Sequence, residues 1–149
     1  MLEHGDVARY RPVLKIIDKV KLADFSSDPV NVIEKIEGQI SKAYGGRRVL
    51  SATTKFLWFK VRSPIIIYDS QVRKALQTPD GDLQCFYDIW RDKYNYHNKA
   101  IAQACASLSK VSRYACDQTL ATPPYVQSIS AESWFRQRVF DVYLWHKGQ

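Results

Sequence analysis

Residues 45–76 read GGRRVLSATTKFLWFKVRSPIIIYDSQVRKAL. A glycine pair opens the stretch, a basic and aromatic run follows, Ser63-Pro64 interrupts it, and an apolar IIIY ends on one aspartate, Asp69. Each part implies an element. Gly45 and Gly46 end a preceding helix, because glycine accepts the left-handed backbone that helix termination asks for. A helix from residue 47 or 48 to 61 sets Leu50, Thr54, Leu57 and Trp58 along one face. Ser63-Pro64 stops it, since the residue before proline avoids helical geometry. Residues 65–68 are then extended or irregular and buried. Asp69 or Ser70 caps a short helix through Leu76.

Upstream, Val13, Ile16, Ile17 and Val20 recur at helical spacing and predict a helix over residues 6–22, with Pro12 allowing a start near residue 11. ADFSSDP is a break. Asp28 is a good N-cap with Pro29 at the first helical position, and Val30, Ile33, Ile36 and Ile40 line one face of the helix that follows. Downstream, TPDGD is a turn. A long helix is expected over residues 83–110, with Phe86, Ile89 and Trp90 on its early face and Ile101, Cys105 and Leu108 on its late one. Residues 111–130 show no clear period, and ATPPY reads as non-helical. SAESWFRQRVFDVYLWHKG is a closing amphipathic helix carrying Trp134, Val139, Val142 and Trp145. Glu132 at its start and His146 and Lys147 at its end complement the helix dipole. The expected class is all-α: a compact single-domain bundle of about six helices spanning residues 1–149.

The chain has 149 residues, a one-domain length. No apolar run approaches the roughly 18 residues that span a membrane. The N-terminal MLEHGDVARYRP lacks the apolar stretch of a secretory signal. Cys85, Cys105 and Cys116 are odd in number and show no CxxC spacing, which argues against a disulfide framework or a zinc site and for a reducing cytoplasm. His4, His97 and His146 lie far apart and form no HExxH motif. Neither a metal nor a cofactor is expected.

Charge is the more specific signal. The chain carries 22 Lys and Arg against 15 Asp and Glu. Residues 41–77 hold eight of the basic side chains and a single acid, Asp69, so the remainder is balanced at 14 of each sign. The whole net charge of +7 therefore surrounds the opening stretch. A local positive surface suits a polyanion, most simply DNA.

The order helix, glycine hairpin, helix, apolar loop, aspartate, basic helix over residues 35–77 resembles the helix-hairpin-helix (HhH-GPD) DNA glycosylase superfamily, of which this chain would be a divergent small member. The resemblance rests on Pro64 standing five residues before Asp69, on Ser70-Gln71-Val72-Arg73 after it, and on the small residues Ala52 and Thr53 early in the preceding helix. The family's hairpin usually reads GxG. Here the glycines are adjacent, and Arg47 and Val49 occupy the aligned glycine positions. The position of the catalytic lysine in the endonuclease-III type, eighteen before the aspartate, is Ser51. No iron–sulfur cysteine cluster is present.

The resemblance implies base excision. Breaking a base–sugar bond makes positive charge at the sugar, which the carboxylate of Asp69 would stabilise while orienting or deprotonating water. Asp69 as a cap alone is the competing reading, and a carboxylate at a helix N-terminus can serve both ends. Lys55, fourteen residues before Asp69 and one turn past Ser51, is the alternative nucleophile. Ser51 at the lysine position favours simple hydrolysis. Gly45, Gly46, Arg47, Arg48, Ser51, Arg73 and Lys74 would hold the phosphate backbone, positioning DNA without reading its sequence. An extruded base needs rings to stack on. Tyr68, Trp58, Trp90, Tyr94 and His97 are the candidates, with Tyr96 beside them in the polar run DKYNYHNK. Two other readings stay open: a non-catalytic nucleic-acid-binding module, and a regulatory domain with a protein partner in a toxin–antitoxin or defence system.

Overall fold

The computed structural model describes residues 7–149, so His4 and the start of the first predicted helix lie outside it. The described residues are all-helical, with no strand. They form seven α-helices: α1 (Val7–Ile17), α2 (Pro29–Ala43), α3 (Leu50–Val61), α4 (Ser70–Leu76), α5 (Leu83–Ala106), α6 (Pro123–Ala131) and α7 (Ser133–Lys147). Short 3-10 helices cover Leu22–Phe25 and Leu108–Tyr114. No described helix is long and apolar enough to cross a membrane. The chain divides into two compact units, and the division falls between Asp69 and Ser70.

The first unit is built on α2. Asp28 accepts a hydrogen bond from the Asn31 amide at 3.1 Å, and Pro29 opens the helix, so its start is capped as the sequence predicts. Val30, Ile33, Ile36 and Ile40 are all buried. They meet α1 and α3, whose Val13, Ile17, Leu50 and Leu57 complete the core. α1 ends at Ile17 rather than near residue 22 and contains Pro12 within it, giving up one backbone hydrogen bond there. Val20 and Phe25, beyond its end, still reach the core. Gly45 and Gly46 have φ of 76° and 81°, and the Gly46 amide reaches back to the Ser41 carbonyl at 2.9 Å. That is the glycine termination expected at this point. The Tyr44 hydroxyl donates to the Arg9 carbonyl and ties the end of α2 to α1. α3 begins at Leu50, not at 47 or 48: the turn occupies residues 44–46, and residues 47–49 form an irregular link with Val49 as the N-cap.

The second unit is built on α5 and α7. Asp82 caps α5 by accepting from the Cys85 amide at 2.9 Å. Phe86, Tyr87, Trp90 and Phe140 are its largest buried rings. Trp90 stacks on Tyr94 at 5.1 Å between centroids and meets the edge of Phe140 at 5.3 Å. Its indole N–H donates to the buried Asp141 carboxylate at 2.8 Å, and Arg138 lies 3.6 Å from the other oxygen. This bond decides which side of α7 faces inward. Phe140, Asp141 and Leu144 are buried, whereas Val142 and Trp145 are 42% and 40% exposed. The predicted face of Trp134, Val139, Val142 and Trp145 is thus wrong: Trp134 and Val139 are half-buried and the other two point outward.

Two further expectations fail here. α5 stops at Ala106, short of residue 110, and the chain tightens into the 3-10 helix. ATPPY is helical in part, because Pro123 opens α6. Prolines in a first turn lose no hydrogen bond, since those amides have no partner within the helix anyway.

Gly148 follows α7 and leaves no room for a side chain: a Cβ there would lie 1.8 Å from the Gln71 carbonyl oxygen of α4. Gly148→Ala should therefore force α4 and α7 apart and cost about 1–3 kcal/mol in denaturant unfolding. Alkali offers a second measurement. Burial raises the Tyr94 hydroxyl above its ordinary 10.0, opposed by Arg136, and burial likewise raises the Cys105 thiol above its ordinary 9.0. The unfolded chain then releases these protons first. Stability is complete below about pH 9 and falls as pH climbs through the raised values. Tyr94→Phe should shallow that alkaline loss in pH-dependent unfolding.

Candidate functional site

The site in the first unit begins with a buried segment that has no regular structure. Ile65, Ile66, Ile67 and Tyr68 are all buried, yet no sheet receives their backbone. α3 supplies one partner. The Thr54 hydroxyl, fully buried, accepts the Tyr68 amide at 3.0 Å. Its own proton can go to the Leu50 carbonyl at 3.0 Å or the Ser51 carbonyl at 3.2 Å. Upstream, the Ile65 amide donates to the Arg62 carbonyl at 2.8 Å, with Arg62 itself at φ 55°. A non-glycine residue in that region stores strain of about 1–3 kcal/mol.

The next residue along is Asp69. Lys55, one position after Thr54 on α3, brings its ammonium to 3.5 Å from Asp69 Oδ2. The side chains are 49% and 20% exposed, respectively. An ion pair this open is worth little in stability, about 0–1 kcal/mol. Its consequence is chemical: an amine and a carboxylate, fourteen residues apart, meet where solvent or a ligand can reach them.

The glycine loop is organised by a residue that sequence reading missed. Glu37 on α2 is buried, and its carboxylate accepts the Val49 amide at 2.7 Å, with Arg48 Nε 3.9 Å away. Val49 immediately precedes α3, so an internal carboxylate already serves the start of that helix. The available signal was an acid on the apolar face of α2, one turn after Ile33. Arg47 and Arg48 are exposed, as are Gly45 and Gly46, while Ser51 is half-buried. Trp58 is half-buried and stands edge-on to the exposed Phe59 at 5.7 Å. Tyr68 is a core side chain.

The other predicted residues belong to the second unit. Arg73 Nη1 donates to the Thr78 carbonyl at 3.2 Å, and its Nε lies 3.4 Å from Asp80, so this guanidinium braces the turn after α4. Lys74 is exposed and reaches Gln71 at 3.4 Å. Trp90 is core. Tyr94 and His97 are half-buried, and His97 lies 6.1 Å from Phe140, so the three predicted rings do gather, around Phe140. Tyr96 is exposed and meets His97 edge-on at 4.9 Å. Among the described residues, no group of three His, Cys, Asp or Glu could hold a metal ion.

Two adjacent threonines give a direct measurement. Thr54→Val removes the acceptor for a buried amide and should cost about 1–3 kcal/mol. Thr53 is equally buried, but its hydroxyl has no hydrogen-bond partner among the described residues. Thr53→Val should therefore be neutral or stabilising by up to about 1 kcal/mol in the same unfolding assay.

The chain matches no protein-family model, no curated protein and no solved structure.

Proposed function

We propose that the chain is a DNA N-glycosylase that excises a damaged or modified base by hydrolysis, in repair or in defence against foreign DNA. The observation that carries the reading is the Lys55–Asp69 pair, 3.5 Å apart, with Asp69 the only acid in the segment that holds the entire net charge. DNA is drawn to that segment by its charge. Arg47 and Arg48, exposed beside the glycine loop, contact phosphates.

In the reaction the bond from C1′ of the sugar to the base nitrogen breaks, and both electrons leave with the base. Asp69, held in place by the Thr54 tie to Tyr68, stabilises the cationic sugar. Water adds at C1′; its proton passes to the Asp69 carboxylate and on to solvent, and the departing base takes up a proton from water. Lys55 stands 3.5 Å from Asp69 as its ion-pair partner. It orients the carboxylate and contacts the neighbouring phosphate. A non-catalytic DNA-binding module is favoured by one observation: Glu37 already occupies the Val49 amide, so phosphate contact rests on exposed side chains rather than on the hairpin backbone.

The test incubates purified protein with duplex and single-stranded DNA carrying varied modified bases and counts abasic sites. Asp69→Asn should lower the rate by about a hundredfold or more. Lys55→Ala should weaken DNA binding, and borohydride should trap no covalent adduct. Full activity in Asp69→Asn overturns the catalytic role. A borohydride adduct lost in Lys55→Ala replaces hydrolysis with lysine attack. Salt-sensitive DNA binding without abasic sites leaves the binding module.

A further inference from the structure

Two adjoining cavities lie in the second unit, one between α5 and α7 and the other bordered also by Ala75 and Leu76 of α4, and what they imply does not rest on base excision. The larger of the two, about 330 Å³, is lined by His97, Ala100, Ala104, Phe140 and Tyr143 among others. The second, about 250 Å³, shares His97, Phe140 and Tyr143 and adds Lys93 and Lys147. The helices explain both. Ala100 and Ala104, one turn apart on α5, keep that surface low, and the larger side chains of α7 do not fill the gap. Lys93 lies one turn before His97 on α5, and Lys147 one turn after Tyr143 on α7, so both cations meet at the same end. Neither cavity is lined by a carboxylate.

The result is a hollow walled by rings with a cationic mouth. Phe140 and Tyr143 lie nearly parallel, 20° apart, and the His97 ring is 6.1 Å from Phe140. Lys147 Nζ is 5.8 Å from the centre of the Tyr143 ring. An apolar tail would be indifferent to flat walls, whereas a planar ring gains stacking from them. A ligand that satisfies both ends has an aromatic body and an anionic group about one ring away. We propose that this groove binds a nucleotide, its base laid over the Ala100–Ala104 surface against the His97 and Tyr143 rings, with buried Phe140 beneath, and its phosphate between Lys93 and Lys147.

The experiment titrates the full chain with each of the four deoxynucleoside monophosphates, and with the nucleosides and orthophosphate as separate arms. Amide and side-chain NMR shifts and calorimetry report binding. At least one monophosphate should shift His97 and Tyr143 and bind roughly fivefold or more tighter than its nucleoside. Lys93→Ala with Lys147→Ala should erase that advantage, and Ala104→Leu should abolish binding while the protein stays folded by circular dichroism. A short single-stranded oligonucleotide separates sources: tighter binding than the monophosphate identifies an unpaired strand, and weaker binding identifies a free nucleotide. The proposal is overturned if no monophosphate binds, if orthophosphate competes as well as the nucleotide, if binding survives Ala104→Leu, or if decanoate occupies the groove in place of nucleotides.

Discussion

A buried backbone must find partners for its amides, and the segment 65–68 has to do so without a sheet or helix of its own. The Thr54 hydroxyl meets that need at the last residue before Asp69. It takes the Tyr68 amide and returns its proton to α3, so the irregular segment and the helix share one anchor. Lys55 follows Thr54 as Asp69 follows Tyr68. The meeting of amine and carboxylate is therefore a consequence of backbone satisfaction one residue earlier on both sides. Attraction between the charges is too weak at this exposure to set the geometry by itself.

Legibility varied with how local the physics is. Asp28 and Pro29, the glycine pair and the Ser63-Pro64 stop all act within a few residues, and each does what its chemistry implies. The core face of α2 was equally legible, since Val30, Ile33, Ile36 and Ile40 recur along one helix side. α7 was not, because its inward face is chosen by a partner elsewhere in the chain. The bond from Trp90 to Asp141 draws a carboxylate inside and leaves Val142 and Trp145 facing out. Hydrophobicity alone ranks those residues the other way.

The candidate site was legible in a similar pattern. Lys55 and Asp69 could be paired by counting turns, because Lys55 stands one turn past Ser51 on α3 and the proline marks the end of that helix. Glu37 could not: a lone acid in an apolar stripe does not say which amide it will serve. Arg73 looked like a phosphate ligand beside Asp69 in sequence, yet its guanidinium serves the turn around Thr78 and Asp80. Charge counting finds where basic residues are and says nothing of how many are already engaged. The aromatic run around Tyr94 and His97 sits in the polar stretch DKYNYHNK. It forms the boundary between a packed ring cluster and an open groove.

That groove exists because two alanines stand where larger side chains would fit. Unfilled space in an apolar interface forgoes dispersion contacts, at a cost of about 1 kcal/mol for each missing methyl group. Enlarging Ala100 or Ala104 would be a simple way to harden the second unit against heat, and it would also shut the hollow. Thermostability and ligand access draw on the same space, so variants selected for one would be expected to lose the other.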